Sequence, residues 1–249
     1  MCAVEARSAL VTGAASGIGR AVAARLVADG YAVLGVDLES GAGGAGDPFT
    51  ADLSTRAGNR DAVEAALERF GRLDVIVANA GFQHVAPVSE FPEDKWDALL
   101  AVLLTSPFLL AKYSWEALKA SGGGRFLAVA SAHALVASPF KAGYVSAKHG
   151  VAGLVKTLAL EGGADGIAAV AVCPAFVRTP LVEKQMASQA EAHGMTENRV
   201  LEEVILAPHV IKRLVEPGEV ADVVAMLAGP KGELFTGATL TMDMGWTAR

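Results

Sequence analysis

Ser131, Tyr144 and Lys148 are the residues with the clearest capacity for chemistry in this sequence. Tyr144 and Lys148 are four positions apart. On a helix that spacing puts both side chains on one face, about one turn from each other. The apolar run Phe126-Leu127-Ala128-Val129-Ala130 reads as a buried strand, and His149 to Val155 continues as a helix. Ser131 therefore falls at the carboxyl end of a strand, where open α/β sheets bind ligands. A hydroxyl, a phenol and an ammonium converging on one crevice suit proton transfer to or from a substrate oxygen. A Tyr and a Lys at this spacing, taken alone, also fit a chance meeting on a solvated helix face.

A glycine motif near the N-terminus favours the chemical reading. Ser8 to Thr12 reads as a strand, and Gly13-Ala14-Ala15-Ser16-Gly17-Ile18-Gly19 follows it. A helix is expected from about Arg20 to Asp29, closed by Gly30, and a second strand from Ala32 to Val36, closed by Asp37. Strand, glycine-rich turn and helix form a phosphate-binding arrangement. The glycines let the backbone approach a pyrophosphate, and the helix N-terminus supplies N–H groups and partial positive charge. Asp37 reads either as an ordinary turn residue or as an acceptor for both hydroxyls of an adenosine ribose, in which case it repels a 2′-phosphate. Ser16 and Leu38 offer no cation to such a phosphate. The expected cofactor is NAD rather than NADP.

The remaining pattern supplies the scaffold. The stretch Gly41 to Gly46 is too glycine-rich for a helix, so an exposed loop is expected before a third strand at about Pro48 to Asp52. An amphipathic helix from Thr55 to Phe70, a strand from Leu73 to Ala78 and a long helical region from Glu93 to Ala120 follow, the last with a kink at Pro107. Further strands are expected at Ile167 to Cys173 and Ala238 to Met242, with a helix from Pro217 to Ala228 between them. Thr179 to Pro208 reads as one or two helices outside the sheet, a mobile lid. The implied fold class is α/β, a Rossmann-type doubly wound parallel sheet of about seven strands with helices on both faces, in a single domain over 1–249.

The 249 residues are 52% hydrophobic and 19% charged, with a net charge of −6 and no basic block, which argues against nucleic acid or an anionic membrane as partner. Cys2 and Cys173 give no disulfide framework, so a reducing, cytoplasmic setting is expected. Glu5 and Arg7 interrupt any signal-peptide pattern, and the apolar run Leu99 to Ala111 is broken by Thr105, Ser106 and Pro107. No His, Cys, Asp or Glu cluster has metal-ligand spacing.

Thr12-Gly13-x-x-x-Gly17-x-Gly19, Asn79-Ala80-Gly81, Ser131 and Tyr144-x-x-x-Lys148, in that order, resemble the classical short-chain dehydrogenases/reductases over essentially the whole chain. Phe82 to Val88, Ser131-Ala132-His133, Lys141, Cys173-Pro174, Val177 to Gln185 and the ending Gly245-Trp246-Thr247-Ala248-Arg249 resemble bacterial (R)-3-hydroxybutyrate dehydrogenases. The resemblance implies that Tyr144 is the general acid/base, that Lys148 lowers its pKa and holds the nicotinamide ribose, and that Ser131 bonds the reacting oxygen. It implies that Asp52 and Leu53 contact adenine, that Asn79 and Gly81 flank the cofactor, and that Pro174, Val177 and Thr179 lie along the nicotinamide. Gln83, His133, Lys141 and Gln185 would hold a substrate carboxylate, with Phe176 beside them. Each of these four also has an ordinary reading as a loop or surface residue. A homotetramer is implied as well.

The sequence departs from the pattern in places. Trp96 is present in the central helix, but the Asn expected seven residues later is Leu103; Ala175, Phe176 and Met244 replace usual Gly, Trp and Gly. The resulting expectation is NAD-dependent interconversion of (R)-3-hydroxybutyrate and acetoacetate. Alternatives are another small hydroxy acid or secondary alcohol as substrate, or a weakly catalytic NAD(H) sensor. An NADPH-dependent 3-oxoacyl thioester reductase is disfavoured by Asp37 and Lys141.

Overall fold

The computed structural model describes residues 6–39, 44–183, 186, 190 and 194–248. Seven strands form one sheet: β1 Ser8–Thr12, β2 Ala32–Asp37, β3 Asp47–Thr50, β4 Val75–Ala78, β5 Arg125–Val129, β6 Ala168–Pro174 and β7 Thr239–Met242. Their order is β3-β2-β1-β4-β5-β6-β7, and every pairing is parallel. The winding reverses between β1 and β4, so their carboxyl ends open a crevice at that point.

The central strands are apolar on both faces because both faces are covered. Leu10, Ile76, Phe126, Ala128, Ala169 and Ala171 pack on one side, against α2 (Arg56–Phe70), α4 (Ser106–Ala120) and α5 (Ala142–Gly162). Their neighbours Ala9, Val11, Val75, Val77, Leu127, Val129, Val170 and Val172 point to the other side, against α1 (Gly17–Ala28) and α6 (Pro217–Ala228). The period-two alternation of each strand thus feeds two cores. Between β2 and β3 no helix occurs among the described residues, in line with the glycine-rich crossover.

The expected kink at Pro107 is corrected in position. α3 (Glu93–Leu100) runs into α4 through a wide, π-type turn at Ala101–Thr105, in which the Ser106 N–H donates to the Ala101 carbonyl five residues back. Pro107 has no N–H to offer, and in regular helix its ring would press on the Leu103 carbonyl. Widening the preceding turn relieves that clash. The whole run Glu93–Ala120 has the length and hydropathy of a membrane span. Leu110, Ala111 and Leu118 lie in the core, however, and α4 packs on α2 and β4, as expected of a core helix.

Two tethers border the stretch 179–208. The Arg178 N–H donates to the Val215 carbonyl at 2.9 Å, and the Val215 N–H to the Phe176 carbonyl at 3.0 Å. The Val210 and Ile211 N–H groups both donate to the Met244 carbonyl, at 2.8 and 3.3 Å. Between the tethers, Val200, Ile205 and Leu206 gather with Leu214 into a small apolar cluster that rests on Phe176.

Candidate active site

A cavity of about 490 Å³ lies over the carboxyl ends of β1, β2, β4, β5 and β6. Its first half is built by the glycine turn. Gly13 has φ +68°, which favours glycine, and its N–H donates to the Val36 carbonyl at 2.8 Å. At Gly19 a Cβ would run into the Gly13 carbonyl and come within 2.6 Å of Asn79 Nδ2. The first turn of α1 can therefore press close to the end of β1. Asn79 ties β1 to β4: its Nδ2 donates to the Thr12 carbonyl and its N–H to Thr12 Oγ1, both at 2.9 Å. Asp37 is fixed at the end of β2, where Oδ2 accepts from the Ala15 N–H at 2.9 Å and Oδ1 from the Leu38 N–H at 2.8 Å.

This half fits a dinucleotide. A side chain at Gly19 would strike the Gly13 carbonyl and force the turn open, Ser16 makes no side-chain cap over the α1 N-terminus, and an acidic acceptor stands at the rim. Ser16, Gly17, Ile18, Asp52, Leu53 and Gly81 line the cavity beside Gly13, Asp37 and Asn79. Pro174, Val177 and Thr179 line it from beyond β6. Gly19 shapes the turn from behind rather than lining the cavity.

The second half holds the titratable groups. Ser131, extended at the end of β5, accepts a hydrogen bond from the His133 N–H at 3.1 Å. Tyr144 and Lys148 project from α5, and the Lys148 ammonium donates to the Val129 carbonyl at 2.7 Å. Burial lowers Lys148 to about 8. Burial also raises the Tyr144 phenol above its ordinary 10, against the opposing pull of a hydrogen bond from Ser131. Desolvation is the first cause at both groups, and it acts against the charged form of each. Cys173 is buried next to Ser131 and Lys148, and burial pushes its thiol up to about 11. Leu103 is buried with Leu99 and Ala147 against Tyr144, and its Cδ2 would lie 2.5 Å from a Cβ at Gly81.

Lys141 comes from the N-cap of α5 and is only 5% exposed. Phe140 before it has φ +66°, a costly conformation for an aromatic residue, held in part by the Ala86 N–H donating to its carbonyl at 3.0 Å. Lys141 Nζ lies 4.9 Å from the centre of the Phe176 ring and lines the cavity. Among the described residues no carboxylate lies within ion-pair distance of it. Burial lowers it to about 8.

Gln83 and His133 line the same end. The His133 ring has two serine neighbours: Nδ1 lies 3.4 Å from Ser131 Oγ and Nε2 2.9 Å from Ser138 Oγ. Burial, reinforced by Lys141, lowers its pKa to about 3. The ring is thus a neutral wall whose nitrogens are both engaged. Gln185 lies outside the described residues.

Phe176 stacks on Trp246 with ring centres 5.7 Å apart and an interplanar angle of 9°. Trp246 and Ser138 escape sequence reasoning as site residues. Trp246 is 70 positions beyond Phe176, and Ser138 sits in a loop with no motif around it.

Comparison with known proteins agrees with this geometry. The model of a family described as enoyl-(acyl carrier protein) reductase matches residues 13–247. A D-beta-hydroxybutyrate dehydrogenase of Rhizobium meliloti is 38% identical, covering 98% of this chain and 99% of its own. An uncharacterised oxidoreductase of Bacillus subtilis is 39% identical, covering 97% and 98%. The ligand-free structure of aldohexose dehydrogenase from Thermoplasma acidophilum superposes with a TM-score of 0.92 at 27% identity, covering 98% of this chain and 95% of that one. With a matching family model over nearly its full length, a full-length relative at this identity and the parallel seven-stranded fold, the chain belongs to the short-chain dehydrogenases/reductases.

Proposed function

We propose that this dehydrogenase, acting as one domain, interconverts (R)-3-hydroxybutyrate and acetoacetate with NAD. The observation that carries the reading is Lys141, a buried ammonium facing the cavity with no carboxylate partner among the described residues. A small monocarboxylate supplies the missing anion through a charge-assisted hydrogen bond. The full-length likeness to D-beta-hydroxybutyrate dehydrogenases supports the same substrate.

The roles follow from position. Gly13, Gly17, Ser16 and Ile18 cradle the pyrophosphate over a turn that Gly19 lets close, Asp37 takes the adenosine ribose hydroxyls, and Asp52 and Leu53 flank the adenine. Bound there, the nicotinamide supplies the hydride acceptor. Lys141 and Gln83 orient the substrate carboxylate, with Gln185 assigned the same task from outside the described residues. Ser131 and Tyr144 meet the carbinol oxygen, and Tyr144 takes its proton. The stacked Phe176 and Trp246 cover the methyl end and exclude water.

Asp37, with no cation at Ser16 or Leu38, supports NAD over NADP. The buried thiol of Cys173 is compatible with the cytoplasm. A homotetramer, suggested by exposed apolar residues such as Leu160, Leu234 and Val88, would give four times the chain mass by light scattering at micromolar concentration; a monomer mass would overturn it.

NADH formation with a panel of 3-hydroxy acids, their thioesters and neutral secondary alcohols tests the function. Preference for 3-hydroxybutyrate is expected, and turnover of alcohols or thioesters alone would refute it. A second reading, another small hydroxy acid or alcohol, draws on Phe176 and Ala175 in the substrate wall and on relatives such as a D-threitol dehydrogenase, 32% identical.

A further inference from the structure

We propose that Asp243 is a positioning residue for the reaction: its buried carboxylate fixes the turn that carries Trp246, and so sets the length of substrate the cavity accepts. This rests on the reading above, in which Trp246 covers one end of the substrate. The case begins with how the chain leaves β7. Asp243 comes first, then Met244 and Gly245 with φ +54° and +81°, two left-handed residues in succession. That conformation is costly for Met. It leads into a short turn at Trp246–Ala248, and Trp246 lines the cavity.

Asp243 gathers the donors of that turn. Its Oδ1 accepts from the Gly245 N–H at 3.1 Å, and its Oδ2 from the Thr247 N–H at 2.8 Å and from the Thr247 hydroxyl. Its carbonyl accepts from the Trp246 N–H at 3.0 Å. Gly245, Trp246 and Thr247 are thus all bound to one residue. The carboxylate is buried, and among the described residues no cation lies within ion-pair distance of it. Burial on its own would raise its pKa, yet the hydrogen bonds from Thr247 and Gly245 hold it below the ordinary carboxylate range. Three converging donors call for a group that only accepts, and an ionised carboxylate is that group.

The indole is packed by three rings. It stacks on Phe176, meets the His133 ring edge-on at 5.1 Å, and lies 6.1 Å from the His209 ring at an angle of 41°. Ring contacts set its plane. Its backbone sets how far it reaches across the cavity, and that backbone hangs on Asp243. Asp243 itself does not line the cavity, so its influence on substrate passes through Trp246. A wall drawn back by the length of one carbon admits a longer substrate. One methylene in an apolar pocket is worth about 10–200-fold in specificity, so a small displacement is easily read.

Asp243→Asn keeps the side-chain volume, leaves one acceptor oxygen and aims an amide NH2 at donors. Activity is measured on whichever hydroxy acid or secondary alcohol the enzyme oxidises, and on its homologues longer by one and two methylenes, so a wrong substrate assignment leaves this test intact. Expected are a KM raised about fivefold or more with kcat held within about twofold, discrimination against the longer homologues reduced about threefold or more, and an unchanged dissociation constant for NADH by fluorescence. Thr247→Val, which removes a single donor, should move KM and length preference the same way by less, and Thr247→Ser should keep the native values. In a Trp246→Ala background Asp243→Asn should add no further change in either, the mark of action through the indole. A lowered melting temperature with native KM and native length preference would overturn the proposal, whether in Asp243→Asn or, should that variant fail to fold, in Thr247→Val. So would a full Asp243→Asn effect in the Trp246→Ala background, or a Trp246→Ala enzyme with native KM and length preference.

Discussion

Replacing Lys141 with Met should make the protein more stable and a worse enzyme for acids. Lys141 is lowered from 10.5 to about 8 by burial alone. That gap corresponds to about 3 kcal/mol by which the fold disfavours the ammonium, at about 1.4 kcal/mol per tenfold. The unfolded chain keeps its proton up to about 10.5, whereas the folded one gives it up near 8. The unfolded state binds more protons in that window, so stability rises with pH between about 8 and 10.5 and is lowest below 8. Lys148, lowered to about 8 by its own burial, contributes a second slope of the same sign. Met fills the site without a charge. Lys141→Met should therefore raise the melting temperature at pH 7, by at most about 6–12 °C for a chain of this size, and weaken the stability increase above pH 8 without abolishing it. Thermal melts across pH 6–10.5 measure both. In parallel, loss of a charge-assisted hydrogen bond worth about 1.5–3 kcal/mol should lower kcat/KM for 3-hydroxybutyrate by about 10–150-fold. A neutral secondary alcohol should lose far less. A lower melting temperature at pH 7, or equal losses for acid and alcohol, would refute the reasoning.

Asp37→Ser should shift the kcat/KM ratio of NAD to NADP toward NADP by about tenfold or more, because a repelling carboxylate is removed from the rim; an unchanged ratio would show that Asp37 does not read the ribose. Leu103→Asn should lower the melting temperature, since it buries an amide among Leu99, Ala147 and Tyr144. It should also raise kcat with little change in NADH affinity; steady-state rates that do not rise would exclude a proton route at position 103. Hydrogen exchange over 195–206 should slow when NAD and a substrate analogue bind together, as a closing lid requires. No added protection there would count against a lid.

Much of this architecture is legible because the central strands are short and apolar and end in glycine or polar residues. β1 at Ser8–Thr12 and α6 at Pro217–Ala228 fall where the pattern puts them. The chemistry of the cofactor half is local: Gly13 to Gly19 and Asp37 lie within two strands and a turn. The substrate half is not. Phe176 and Trp246 meet through the winding of the sheet, and no period in the sequence relates them. The wide turn at Ala101–Thr105 is invisible because it depends on what the Pro107 ring would strike one turn back. The charge balance at Tyr144 and Lys148 is hidden for a similar reason: their spacing reveals proximity, while depth beneath the sheet edge sets which form is favoured.

The tethers on either side of the stretch 179–208 bear on how it can move. Phe176 and Arg178 are stitched to Val215 at one foot, and Val210 and Ile211 hang from the Met244 carbonyl at the other. A span clamped at both feet cannot swing like a door on one hinge; it can only buckle between its supports. The second foot belongs to the same short run of backbone that carries Trp246, while the first carries Phe176, so each anchor is also one ring of the stack. Were the span to close as a lid, its load would pass straight into that pair, and a substrate wedging the rings apart would push back on both supports at once. Substrate girth and closure would then be mechanically one variable, as in a drawstring whose ends are sewn to the mouth of the purse.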